Sequence, residues 1–576
     1  MQDIKNNTAI DLRIDNAQIA DVFSGTFFHG SVCVHKGIIV GFSEDMYAKK
    51  VFDAENAYLL PAFFDAHVHI ESSMLCPEKF AELVIPFGTG TVIADPHEIA
   101  NVKGTDGIRY MLESARQSLL DVKIMLPSCV PALPFECSGA NLSALDLAEL
   151  ITEENVLGLG EMMNVPGVLM QDESVLEKLE LAYKNGRIID GHAPQVHGKD
   201  LDMYVLSGVS TDHECTTAEE AAERIRRGMY VLLREGSAAH DLVNLLPAVN
   251  SHTIQNCLFC TDDKQCIDIM RRGHINNSVS LAIEHGIAPI DAVRMATINT
   301  ARAYGIRHKG AIAPGMEASF MLVKDMKKCM PHAVYIQGRL AAENGKYIAA
   351  GSKKYNAKLE QLTDNMQDSM HAELPKDLTL HIPSKKARVI RLLPHSLLTA
   401  CEITDIAVDA DGNFDFSRNK GMLKLAVVER HKKTGKFGLG LLHGEYGLKN
   451  GAIATSISHD SHNIVAAGDN DEDLRIALEE IEKMGGGIAM ISQGKILTKL
   501  ALPIGGLMSM QEPEIVATAL KHLYKLAKDH YQIWDKADAF MSLSFLALPV
   551  IPDLKLTPQG LFDVTTFQFV SLDAEE

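Results

Sequence analysis

The stretch Phe63–Ser73, FFDAHVHIESS, sets His67 and His69 on either side of a single valine. Successive side chains of an extended strand point to opposite faces, so both imidazoles face one way and Val68 the other. Two readings are open at this point. The histidines are a solvated pair on an edge strand, or they are half of a metal site. Neutral imidazole is a common ligand of zinc and of other first-row ions, and a shared ion removes the repulsion between two buried charged rings. The rest of the chain decides between them.

Outward from this stretch, the sequence between Leu59 and Asp263 beats regularly. Short apolar runs, often β-branched, end in polar residues and are followed by amphipathic segments. Eight can be read: LLPAFFDAHVHI, TGTVIADPHE, VKIMLPSCVPALP, NVLGLGEM, GRIIDGHA, SGVSTDHE, GMYVLLREGS and NCLFCTDD. Helical patterns such as SVLEKLELAYKNG and TAEEAAERIRRG lie between them and close on glycine, the usual residue just past a helix end. Apolar strands alternating with helices predict a parallel sheet covered on both faces, here a TIM-like (β/α)₈ barrel over residues 61–309. All strand C-termini of a barrel open on one face, so the polar residues that end these runs would meet at one mouth.

Residues 1–60 and 310–350 read as short β segments, predicted to fold together as a small β-sandwich beside the barrel. Residues 351–390 are polar and read as a linker, and 391–576 as a C-terminal α/β domain with its own core. A chain of 576 residues is too long for one core, which agrees with this division.

Composition narrows the class. The formal net charge of −20 disfavours nucleic-acid and membrane-surface partners, where a basic face is expected. The N-terminal residues lack a signal-peptide pattern, and no run approaches the roughly 18 apolar residues of a membrane helix. Ten cysteines without framework spacing fit a reduced, cytoplasmic protein. Cys257 and Cys260 form a lone CxxC inside an apolar run; a zinc knuckle needs a second pair, so they read as core residues of a strand.

The strand-end residues supply the chemistry. Glu161 closes VLGLGE, His192 closes RIIDGH, His213 closes STDH and Asp262 closes LFCTD. With His67 and His69 they make a cage of the two-ion type, whose mutual repulsion requires a shared anionic ligand. Glu161 is the expected bridge. The first ion is expected on His67, His69 and Asp262, the second on His192 and His213.

The stretches FDAHVHIESSM, VIADPHEIANVKG, GLGEMMNVPGV, DGHAPQVHGKDL, STDHECTTAEEA, LREGSAAHDL and CTDDK resemble the amidohydrolase superfamily and, within it, the adenine deaminase family. HGEYGLKNGAIATSISHDSHNIVAAG extends the resemblance to the C-terminal domain. No carbamylatable lysine ends the fourth strand; Glu161 stands there instead. The other deaminase class, with H-x-E and P-C-x-x-C around one zinc, is not matched, because Asn256 precedes CLFC.

The resemblance implies hydrolytic deamination of adenine in purine salvage, using two divalent ions, manganese or ferrous iron with zinc as the alternative. A related hydrolase acting on a cyclic amide or N-acyl substrate is the second reading. In this scheme Asp262 moves the proton of the attacking water. His97 orients that water or the ring, unless it is a capped surface histidine. Glu214 serves the ring nitrogen or holds a histidine in place, and Glu71 and Asp263 contact the purine or shape their loops. Ser72 and Ser73 are expected to turn the first loop, and Arg234 and Glu235 to form internal salt bridges. His459 and His462, in ISHDSHN, are either an independent metal site or a lid over the barrel mouth. A homodimer is expected.

Overall fold

The computed structural model describes residues 9–349, 356–444, 446–533 and 537–575. Eight parallel strands follow the beat of the sequence: β1 Phe63–Val68, β2 Thr89–Ala94, β3 Asp121–Leu126, β4 Val156–Met162, β5 Ile188–Gly191, β6 Thr211–Asp212, β7 Tyr230–Arg234 and β8 Cys257–Cys260. The first five form one sheet in chain order and the last three another. The two sheets meet edge to edge. At one seam Val68 bridges Asp262, whose N–H donates to the His67 carbonyl at 3.0 Å. At the other, the Ser210 N–H donates to the Ile189 carbonyl at 3.0 Å.

Alternation along the strands explains what lies inside. Ala66, Ile93, Met125, Leu232, Leu258 and Cys260 form one buried cluster with Tyr304, while Cys257 joins the larger core outside it. The CxxC is therefore two faces of one strand, as a core reading requires. Tyr304 closes this inner cluster, its hydroxyl donating to the Ala66 carbonyl at 2.9 Å and meeting both Asp190 oxygens.

The two β-rich flanks pair with each other. Phe320–Val323 lies antiparallel to Tyr58–Pro61 within a single nine-stranded sheet built from residues 10–61 and 320–347. The segment read as a linker is corrected in part. Residues 351–355 fall outside the described residues, but Ala357–Gln367 form a helix that buries Leu362 and Met366. It packs on α1, His97–Ala115, and Asn365 accepts from Lys103 at 3.1 Å. Leucine and methionine four residues apart lie on one helix face, and that apolar face is what a polar average conceals.

The C-terminal region begins earlier than 391, at a strand Lys386–Leu392, the second of an eight-stranded, mainly antiparallel sheet. Helix Asp471–Lys483 packs against that sheet. The region grips the barrel directly. The Ser509 N–H donates to the Met74 carbonyl at 2.9 Å, and Asn463 Nδ2 donates to the Cys137 carbonyl at 2.9 Å. Among the described residues no helix is long and apolar enough to cross a membrane.

One buried ion pair fixes two strand ends. Arg224, fully buried, donates to Asp212 Oδ2 at 3.0 Å and to the Ala193 carbonyl at 2.8 Å. The other oxygen of Asp212 accepts the N–H groups of Ala193 and Glu214. This sets the exits of β5 and β6, from which His192 and His213 project. Truncating one partner of a buried pair leaves the other charge uncompensated, at a cost of about 3–5 kcal/mol. Arg224→Met is expected to lower the apparent unfolding midpoint by a matching amount in denaturant, whereas Arg226→Met, exposed at the end of the same helix, should change it little.

Candidate active site

Two glycines let the fourth strand approach its neighbours. A Cβ on Gly158 would stand 1.9 Å from the Ile188 carbonyl oxygen, and one on Gly160 would stand 2.0 Å from Asp95 Oδ2. With the space left open, Asp95 Oδ2 accepts the Glu161 N–H at 2.9 Å. The Asp95 backbone carbonyl lies 2.9 Å from His69 Nδ1. A carbonyl can only accept, so Nδ1 carries the proton and Nε2 of His69 turns its lone pair inward.

The residues placed at strand ends do converge. His67 Nε2 and His69 Nε2 are 3.1 Å apart, and Asp262 Oδ1 lies 3.5 Å from the first and 3.1 Å from the second. Glu161 turns one oxygen to each side: Oε1 is 3.4 Å from His69 Nε2, while Oε2 is 2.8 Å from His192 Nδ1 and 3.2 Å from His213 Nε2. His67 and His213 stack with ring centroids 4.1 Å apart. Each of the groups His67–His69–Glu161, His67–His213–Asp262 and Glu161–His192–His213 gathers its ligand atoms closely enough to hold a metal ion.

The electrostatics fit cations at this centre. Burial works to raise Glu161 and Asp262, yet facing histidines, with Arg234 for Asp262, hold both carboxyls well below the usual range. Burial opposes protonation of His192 and His213 too, but the surrounding carboxylates raise both, His192 to about 9. Burial and the stacked His213 push His67 down to about 4, leaving a neutral ring. The cage thus demands positive charge, which divalent ions supply in place of protons.

The centre floors a cavity of about 750 Å³ with apolar walls that include Met163, Pro194, Val196, Leu397, Phe545 and Leu548. His97, Glu214, Asp263 and Arg234 also line it. His97 is the first residue of α1, past the end of β2, with Nδ1 3.2 Å from Glu161 Oε1; it is buried, so the capped surface reading is set aside. Arg234 is a hub that pairs with Glu214, with Asp241 at 3.0 Å and with Asp262 at 3.0 Å. Asp263 accepts from the Ser72 hydroxyl.

Glu71 is a correction: it does not line the cavity. Its Oε1 accepts the Ile99 N–H at 3.2 Å, tying the first loop to α1. Burial and the neighbouring Glu98 push its carboxyl up to about 7. A strand-end position was the only signal for Glu71, and the loop turns the side chain under the mouth.

Glu98 was missed by sequence reasoning, although it adjoins His97 in DPHE. It lies 2.7 Å from His459 Nδ1 and against His462 Nε2. The Ser458 N–H donates to His462 Nδ1 at 3.2 Å, so the proton of this neutral ring is on Nε2 and points at Glu98. The three residues form a clamp between barrel and C-terminal region, and their ligand atoms also gather closely enough to hold a metal ion, so the independent-metal reading of His459 and His462 stands beside the clamp.

Residues 58–341 match the amidohydrolase family, and residues 396–568 match the adenine deaminase C-terminal domain. Strand-end histidines and acids of this arrangement, together with the first match, define a metal-dependent amidohydrolase. Adenine deaminase of Nitratidesulfovibrio vulgaris (strain DP4) is 48% identical over 569 residues, covering 98% of this chain and 96% of that one. Adenine deaminase 2 of Carboxydothermus hydrogenoformans is 46% identical over 560 residues, 97% of this chain and 96% of that one. Adenine deaminase of Geobacillus kaustophilus is 45% identical over 570 residues, 98% of this chain and 97% of that one. The chain belongs to the adenine deaminase family.

Filling the gap beside Gly160 tests how the Glu161 backbone is held. Disturbing groups that orient metal ligands typically costs about 10–100-fold in metal affinity. Gly160→Ala, which displaces Asp95, is expected to show a loss of that size in competition with a chromogenic chelator, and Gly41→Ala, whose Cβ would meet only the Met46 methyl at 3.6 Å, none.

Proposed function

We propose that this chain removes the exocyclic amine of adenine hydrolytically, giving hypoxanthine and ammonia in purine salvage. The observation that carries this reading is the Glu161 carboxylate, one oxygen toward the His67–His69 pair and the other toward His192 and His213, on the floor of an apolar cavity. His67, His69 and Asp262 would hold one ion, His192 and His213 the other, with Glu161 between them. The eight strands supporting them are taken as one closed barrel. Two divalent ions, manganese or ferrous iron before zinc, would lower the pKa of a water and stabilise charge on the attacking oxygen.

The chain's own groups handle the protons. Water adds at carbon 6 and the carbon–nitrogen bond to the amine breaks; as its oxygen becomes the carbonyl, one of its protons must reach the ring nitrogen and the other the departing nitrogen. Asp262 is the carrier: Oδ1 faces the ligand histidines, and Arg234 holds Oδ2 at 3.0 Å, which keeps the carboxylate ionised and aimed. Glu214, gripped by the same guanidinium, serves the ring nitrogen that gains a proton during addition. His97, with Nδ1 against Glu161, orients the water or the ring edge. Asp263, steadied by Ser72, borders the purine. The apolar walls exclude bulk water and take up the flat base. Free thiols at all ten cysteines support a cytoplasmic setting.

Metal-loaded protein supplied with adenine should release ammonia and hypoxanthine in equal amounts, followed by absorbance and an ammonia-coupled assay. Turnover of a cyclic amide with no ammonia from adenine would transfer the activity to the second class. Asp262→Asn is expected to reduce kcat by about 10²–10⁴-fold, the usual contribution of a positioned proton carrier.

A further inference from the structure

The loop Ser458–Asn463 enters the cavity from the C-terminal region and is held from several directions. Glu98 takes His459 and His462, the Arg430 guanidinium donates to the His462 carbonyl, and the Ser461 carbonyl lies 2.7 Å from His431 Nε2. His459 also stacks on Phe545, ring centroids 4.5 Å apart. Between the two clamped histidines sits Asp460. It lines the cavity, is only 5% exposed, and its Oδ2 is buried with no hydrogen-bond partner. His97 Nε2 stands 3.9 Å from its Oδ1, too long for a hydrogen bond.

A rigid loop that presents an unsatisfied buried carboxylate oxygen to a cavity is a preorganised acceptor, because leaving such an atom unpaired is costly. Its position relative to the metal-binding carboxylate is set by one side chain. His97 spans the two, with Nδ1 3.2 Å from Glu161 and Nε2 3.9 Å from Asp460. Asp460 therefore lies about one aromatic ring beyond the floor. When carbon 6 of a purine is at the floor, the far edge of the base is its five-membered ring, which carries the only ring N–H of adenine. In a nucleoside that N–H is replaced by the bond to the sugar.

We propose that Asp460 is a specificity-determining residue that accepts the azole N–H of the free base, so that the C-terminal region selects adenine over its N9-substituted derivatives. The proposal rests on the functional reading above. A site built to pair with an N–H rejects a molecule that lacks it, because the acceptor is then left desolvated and alone. Glu98 acts as a positioning residue, holding the histidines on both sides of the acceptor.

The test compares adenine with the isostere in which oxygen replaces the N9–H group, and with 9-methyladenine. The parent enzyme is expected to prefer adenine by at least tenfold in kcat/KM over the isostere, which adds no bulk. Asp460→Ala should lower kcat/KM for adenine by about 10–100-fold, the range of a hydrogen bond to a charged group, mainly through KM. It should also shrink the adenine-to-isostere ratio by at least tenfold. Asp460→Asn, near-isosteric and checked by its melting curve, should lie between the two. Equal use of adenine and the isostere by the parent enzyme overturns the assignment without any variant, as does an unchanged ratio in a folded Asp460→Asn or Asp460→Ala. Absence of ammonia release from adenine by the parent enzyme would instead overturn the functional reading itself.

Discussion

The Glu161 carboxylate is the interaction on which the rest of the site depends. Four imidazoles and two acids from five strand ends crowd around one point, and two cations would need a shared anion to sit side by side there. Glu161 can share because its two oxygens diverge toward two histidine sets. That divergence is imposed from behind. Asp95 holds the backbone of Glu161, and two glycines open the space in which the strands come close enough for this.

A second layer is electrostatic. Arg234 contacts Glu214, Asp241 and Asp262 together, so one cation fixes three carboxylates, two of which also face the histidines. Its guanidinium suits this role because it is planar, always charged and offers several fixed donors. Arg224 does a comparable job one layer deeper, where it sets the strand exits and not the chemistry.

Much of this was legible in the sequence, and for a physical reason. Strands covered on both faces must be apolar throughout, so any His, Asp or Glu ending one stands out sharply. The convergence of His67, His69, Glu161, His192, His213 and Asp262 was legible in that way. What escaped depended on contacts between distant segments. Glu98 looked like one more acid in the first turn of a helix, a position acids favour for the helix dipole alone. Its partners lie more than three hundred residues further on, and no local pattern announces them. Glu71 failed for the opposite reason: it obeyed the strand-end rule, but a short 3₁₀ turn over Ile70–Ser73 carried it beneath the mouth. The helix Ala357–Gln367 was hidden in a polar average because it buries only a narrow stripe.

The cavity wall supplied by Phe545 and Leu548 has a meaning in the order of synthesis. Strands β1 to β8 emerge early from the ribosome and bring with them the histidines and acids of the central cluster. The loop that Glu98 holds follows about two hundred residues later, and the roof residues Phe545 and Leu548 later still. A nascent or truncated chain can therefore own a complete set of ligands while its reaction chamber stands open to water. The enclosed chamber forms only once the segment carrying Phe545 and Leu548 has been added, and enclosure serves as a molecular record that translation ran at least that far.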